Sequence, residues 1–545
     1  MIILIKFIKS LLIVASVCLL YIFFNNLITF QGNKFIYFIF SIISFYLVIS
    51  IFYEKKYFSE IFLSIYLWLG FWWKFSVLQT LSKISLTKDQ RVNMSDNIIS
   101  LSRSEGFHPK IVDPEILNEV FLTLSLAFIV LLASFRFFKY FNKDYFNNQY
   151  KEETFFSNLY AKNRIPIITS YIFLFIFIAI TNFYFGIYQK GLSSSQNINP
   201  LILNLYKWLI LFGISFIGSL ILYYETRSKT KNIFWFSIIV LFENLVITSS
   251  LLSRAMIVNS SAIIFGNYKN LLVFDKEKNF LQFFKKRKNF FLFFKLIIIL
   301  VIFFIISFIA SVELRKLSFN WDYDVTEKII LENSQKIDDL NKNEEEEKKE
   351  YKHQFNNAGK IIHEIFYLAS SRWIGMESMI IVTEHDKRNF NHFFSSFDDR
   401  FSAFDNSYYE KVFLYRFANN IKTNEEVFPD RKLALYNKNG QKLYGVITPG
   451  FITFFHFANN IFFLLFSIFL IGILILYFEK LISFLSGNNL ILVSFLSHIV
   501  VYRLIHFGYL PHQTYLLFGT LLLNLLVLYF FKKIYFNLKN KLILF

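Results

Sequence analysis

About twelve apolar runs, each near the length of a membrane-crossing helix, are interrupted once by a polar stretch from about Glu313 to Gly450. A hydrocarbon core about 30 Å thick takes about 20 helical residues to cross. Inside it every backbone N–H and C=O must find its partner within the protein, so apolar runs of this length fold as helices. The pattern predicts an all-α, polytopic transmembrane bundle of about twelve helices with one large soluble excursion. Residues 1–312 would supply helices one to nine, 313–450 the insert, and 451–545 helices ten to twelve. A chain of 545 residues that is 55 % hydrophobic, with a mean hydropathy of +0.44, is excluded from the water-soluble globules.

Charge sets the orientation. In a soluble chain a net charge of +18 would point to nucleic acid, but in a membrane protein Lys and Arg gather in cytoplasmic loops, and no nucleic-acid partner is expected. With helices near 9–28, 35–53, 59–78, 117–137, 166–187, 201–223, 232–250, 255–274, 290–312, 453–477, 489–507 and 513–531, the basic connections fall on one face. They include residues 1–10, 139–164, 275–288 and the tail from Lys532. That face is read as cytoplasmic, with both termini on it, and the insert as outer, or periplasmic. The run Met256–Phe274 carries Asn259, Asn267 and Lys269, which leaves a short or re-entrant element as its alternative. Cys18, alone in the chain, can form no intrachain disulfide, and the first apolar run reads as a retained helix.

The insert has two characters. Glu332–Lys352, containing the run Glu344–Glu350, is a solvated charged spacer without an apolar face. Gly359–Glu384 has an amphipathic helical period through Ile361, Ile362, Ile365, Phe366, Trp373, Met376, Met379 and Ile380, predicting a helix on the outer membrane surface or packed under the insert. Residues 389–422 are aromatic and charged without a motif, and Pro449-Gly450 turns the chain back into the bilayer.

No phosphate loop, His-Glu-x-x-His pair, paired-cysteine site or nucleophile elbow is present, so neither cofactor nor metal is expected. The candidates are cations at predicted membrane boundaries, where charge is costly and functional by default. They are Arg254 in the turn after helix seven, Arg372 on the amphipathic helix, Arg503 and His506 at the end of helix eleven, and His512 in the following turn. A guanidinium fork suits phosphate oxygens. The structural alternative is snorkelling, or pairing with an internal acid such as Glu243.

The segments Trp68-Leu69-Gly70-Phe71-Trp72-Trp73-Lys74, Leu252-Ser253-Arg254-Ala255-Met256, Arg372-Trp373-Ile374-Gly375-Met376-Glu377 and Thr448-Pro449-Gly450 resemble those of bacterial O-antigen polymerase-like (Wzy-type) membrane proteins and the related O-antigen ligases. The resemblance implies a metal-independent inner-membrane glycosyltransferase. Such an enzyme moves a glycan from undecaprenyl pyrophosphate to a sugar hydroxyl on the periplasmic face, alongside a chain-length regulator or flippase. It would give Arg254 and Arg372, with Arg503 as a third, the donor pyrophosphate; Glu377 or His363 the role of base; and His506 and His512 accessory places. The acidic run Glu344–Glu350 has no counterpart in that pattern. Two other classes stay open. A lipid-linked glycan flippase would show paired halves and small outer loops. A non-catalytic membrane subunit of a polysaccharide complex carries no sequence requirement of its own.

Overall fold

The computed structural model of the protein describes residues 2–53, 56–81, 113–142, 154–188, 199–227, 233–252, 257–273, 295, 298–307, 309–311, 314, 375–383, 388–395, 450–505, 519–530 and 533. Regular structure among them is helical throughout. Six helices are long and apolar enough to cross a membrane: Lys34–Ile51, Pro114–Phe141, Arg164–Phe185, Leu201–Arg227, Ile233–Leu251 and Ile461–Leu485. Shorter apolar helices cover Ser16–Thr29, Ile298–Ser311, Leu490–Ile505 and Gly519–Phe530. The outward faces stay apolar, with Phe173 72 % and Phe462 81 % exposed, as helices solvated by lipid require.

In chain order the elements are α1 (Ile2–Thr29), α2 (Lys34–Tyr53), α3 (Phe58–Leu67), α4 (Lys74–Leu81), α5 (Pro114–Phe141), α6 (Thr154–Lys162), α7 (Arg164–Phe185), α8 (Pro200–Trp208), α9 (Ile214–Arg227), α10 (Ile233–Leu251), α11 (Ile257–Val273), α12 (Met376–Thr383), α13 (Phe390–Ser395), α14 (Gly450–His456), α15 (Ile461–Leu485) and α16 (Leu490–Ile505). Two π-helical turns, Trp68–Trp73 and Leu209–Gly213, join α3 to α4 and α8 to α9. Helix starts follow local chemistry. Asp113 accepts from Glu115 N ahead of Pro114, Asn199 accepts from Leu201 N ahead of Pro200, and Asn460 accepts from Phe463 N at 3.0 Å; each satisfies an otherwise orphaned first-turn donor.

α3 starts differently. Its Phe58 and Ser59 amides donate to the Glu479 carboxylate on α15, at 2.9 and 2.7 Å. A buried carboxylate brought from a distant helix thus caps the N-terminus and meets its positive dipole end. The same end of the bundle holds two more buried carboxylates. Glu60 lies between Lys56 at 2.5 Å and Lys139 at 2.7 Å, and Glu225 takes the Arg164 guanidinium at 2.5 Å and the Tyr160 hydroxyl at 2.6 Å. Buried charges persist when paired in this way, and these pairs tie Lys139 and Arg164 to the helix ends.

One sequence expectation changes, and another is met as a helix. The predicted helix 453–477 is instead α14 and α15 separated by a break, because Asn459 adopts φ 51° and Asn460 caps a new helix that runs to Leu485. The run predicted as a helix over Met256–Phe274 is helical over Ile257–Val273, α11, with Asn259 and Asn267 turned into the bundle. Asn267 accepts from Thr226 at 2.9 Å, the Ala262 carbonyl accepts from Ser494 at 2.7 Å, and a Cβ on Gly266 would sit 2.6 Å from Ser494 and 2.9 Å from the Ile491 backbone. Small residues let α11 and α16 approach at backbone distance, as membrane helices do. The seventeen residues of α11 reach about 25 Å at 1.5 Å per residue.

Candidate functional site

The site builds from the N-terminal end of α5, where the later part of the polar insert and α14 after it meet the bundle. Of the amphipathic helix predicted over Gly359–Glu384, the described part is α12, and it lies inside the bundle: Met376, Met379 and Ile380 are buried in the main core against α5. α12 also packs on α14, where the Ser378 and Thr453 hydroxyls meet at 3.2 Å. A second apolar cluster of Val382, Phe393, Phe454, Phe457 and Ala458 closes around this junction, with Phe393 and Phe454 ring centroids 5.0 Å apart. Between the two clusters stand three charged or titratable side chains from three separate elements.

Arg388, just before α13, donates from Nη1 to Glu119 Oε1 of α5 at 3.0 Å and to His456 Nε2 of α14 at 2.8 Å. Thr383 Oγ1 lies 3.1 Å from the same His456 nitrogen. An Nη group carries two hydrogens, so both bonds can form together, and the second requires an unprotonated Nε2. Burial, helped by the Arg388 charge, pushes His456 down to about 3, which agrees with a neutral imidazole accepting from the guanidinium. His456 is therefore a fixed acceptor that aims Arg388. The side chains of Arg388 and His456 are 13 % and 9 % exposed, against 46 % for Glu119. Both described bonds of Arg388 leave from Nη1, so Nη2 and Nε keep donors for an anionic oxygen, and Glu119 presents the open carboxylate.

Of the residues singled out in the sequence, Arg254, His363, Arg372, His506 and His512 lie outside the described residues. Glu377 is in the first turn of α12, with its side chain outside them. Arg503 is half-buried in the last turn of α16 and acts on Tyr188. Burial pushes the Tyr188 hydroxyl up and the Arg503 charge draws it partly back, while Lys207 sits 5.4 Å from the centre of the same ring. Two cations thus bear on one tyrosine. For Glu243, the described polar partners are Ser215 at 3.2 Å and Asn244 at 2.5 Å. The tryptophan-rich motif forms the π-turn Trp68–Trp73, with Trp72 Nε1 donating to Ser41 at 3.0 Å, and Leu252, φ 54°, follows the end of α10 in a left-handed conformation.

Glu119, Arg388 and His456 escaped the sequence reading because their contacts span 269 and 68 positions. No spacing announces such a group. The one local signal was Glu119 itself, an acid in the first turn of the spanning helix predicted over 117–137. Among the described residues no three histidine, cysteine or carboxylate side chains converge as a metal site would need. No family model, curated protein or solved structure matches the chain.

Proposed function

We propose that this protein is a metal-independent, inner-membrane glycosyltransferase that polymerises undecaprenyl-pyrophosphate-linked oligosaccharide repeat units on the periplasmic face. In this reading twelve helices span the membrane, both termini are cytoplasmic, and residues 313–450 form the outer insert. The observation that carries it is the Arg388–Glu119–His456 group: a guanidinium with free donors and a half-open carboxylate, held where the polar insert returns to the bundle. A pyrophosphate leaving group needs that pair of features, fixed positive donors for its developing charge and a nearby base for the attacking hydroxyl.

The chemistry balances without a cofactor. A carboxylate, Glu119 or Glu377, or the imidazole of His363, takes the proton of an acceptor sugar hydroxyl. That oxygen bonds to the donor's anomeric carbon, and the bond from carbon to the pyrophosphate oxygen breaks. Undecaprenyl pyrophosphate departs with the electron pair, its charge met by Arg388 and by Arg254, Arg372 and Arg503. His456 acts by positioning Arg388, since its Nε2 lone pair already accepts from the guanidinium.

The test deletes the gene in its host and restores it as wild type, Arg388→Ala, Arg372→Ala or Glu119→Gln, with membrane levels matched. Wild type should restore long surface-glycan chains, and Arg388→Ala should lower polymerisation about 10²-fold, the scale of losing one preorganised charge-assisted donor. Unchanged glycan ladders in the deletion strain would overturn the proposal and turn attention to a transporter or an assembly subunit.

A further inference from the structure

Glu243 lies at the middle of α10 and is fully buried. The surrounding groups are polar and, among the described residues, none is a cation. Oε1 accepts from the Ser215 hydroxyl of α9 at 3.2 Å and Oε2 from the Asn244 amide at 2.5 Å, and the Tyr171 hydroxyl of α7 lies beside the carboxyl. Three oxygens here are buried without a hydrogen-bond partner, Tyr171 Oη and, on α10 itself, Asn244 Oδ1 and Thr248 Oγ1. Asn244 and Thr248 are fully buried, and their i, i+4 spacing places them on one face of α10.

Buried polar atoms without partners are rare in native proteins and call for an explanation, an ion among them. A carboxylate sealed in an apolar bundle likewise requires a countercharge. A proton on Glu243 would remove the charge but leave the oxygens of Asn244 and Thr248 unsatisfied. A small hard cation answers both needs, because carboxylate, amide carbonyl and hydroxyl oxygens are the ligands such ions take.

We propose that α9 and α10 hold a dehydrated monovalent cation of Na⁺ size, with ligands from the Glu243 carboxylate, Asn244 Oδ1 and Thr248 Oγ1 and with Ser215 holding the carboxylate in place. The site is independent of the Arg388 group and makes the stability of the bundle depend on Na⁺.

The test uses the full-length protein in lipid nanodiscs and follows its thermal midpoint as NaCl replaces choline chloride at constant ionic strength and pH. The wild-type midpoint should climb with Na⁺ and level off, as expected when a ligand binds the folded state alone. Glu243→Gln should give a flat response, and Thr248→Val, which keeps the side-chain shape, should move the half-saturation point about tenfold to higher Na⁺. If Glu243→Gln fails to accumulate, Thr248→Val carries the test by itself, and an unmoved half-saturation point refutes the site. A wild-type midpoint equal in Na⁺ and choline, or an equal climb in wild type and Glu243→Gln, also overturns it. A midpoint that responds to acidification and not to Na⁺ assigns a proton to Glu243 and overturns it as well.

Discussion

At the scale of single residues, His456 shows how a histidine can serve by staying uncharged. Its neutral form is fixed by burial and by the guanidinium it accepts from, whereas in the unfolded chain it titrates near 6.5. As pH falls below about 6.5 the unfolded state takes up a proton that the folded state refuses, so stability is complete above that value and declines towards the folded value of about 3. The slope is about 1.4 kcal/mol per pH unit in that window. Wild-type protein should therefore lose thermal stability between pH 7 and 5, and His456→Gln, which has no imidazole to titrate, should lose less. Parallel pH curves for the two proteins would refute this. The residue scale is also where the sequence was least legible. Arginines and histidines at predicted membrane boundaries were easy to name, but Arg388 fell between the amphipathic run 359–384 and the motif-free stretch 389–422. Its importance comes from Glu119 and His456, which only folding brings to it.

At the scale of elements, the apolar runs were legible because bilayer thickness fixes helix length, and the expected helices fall within a few residues of α2, α5, α7, α10 and α11. Boundaries failed where apolar residues run through a break. Phe451 to Phe457 reads as the start of one long helix, yet the Asn459-Asn460 pair ends one helix and caps the next. Asparagine before an apolar run is a cap signal in its own right, and here hydrophobicity outweighed it. The Glu479 cap on α3 has no sequence signature, since its partners are 421 and 420 positions away. Glu479→Ala would strand two buried amides at about 1–3 kcal/mol each, so the thermal midpoint in detergent should fall steeply, while Glu479→Gln, keeping one acceptor oxygen, should lie between. A Glu479→Ala midpoint equal to wild type would show that α3 needs no cap from α15.

At the scale of the whole molecule, α5 and α15 run parallel, Phe138 meeting Tyr477 with ring centroids 5.1 Å apart, and are held at both ends. At one end Glu119 is linked through Arg388 to His456 of α14, just ahead of α15, and at the other Lys480 of α15 donates to Asn142 at 2.6 Å. The proposed topology puts the first end outside and the second in the cytoplasm. In a Cys18→Ser background, a cysteine replacing Asn460 should react with an impermeant maleimide on intact spheroplasts, and one replacing Asn142 only after the membrane is opened. Reversed labelling would invert the topology and place Arg388 on the wrong face for the proposed donor. The π-turn at Trp68–Trp73 has a consequence for the same bundle. Ahead of the turn, Tyr66 reaches His498 of α16 at 2.5 Å; after it, the Ser76 carbonyl takes the Asn26 amide of α1 at 2.8 Å and the Ser76 hydroxyl meets Tyr37 of α2 at 3.1 Å. A π-turn winds one surplus residue into a helix, and each residue rotates the face that follows by about 100°. The extra residue thus works as a phase shifter, letting one rod engage the late helices with its lower half and the early helices with its upper half. Removing a single amino acid there, Gly70 for instance, would leave a smoother helix and a bundle whose two ends of the chain no longer fit the same rod.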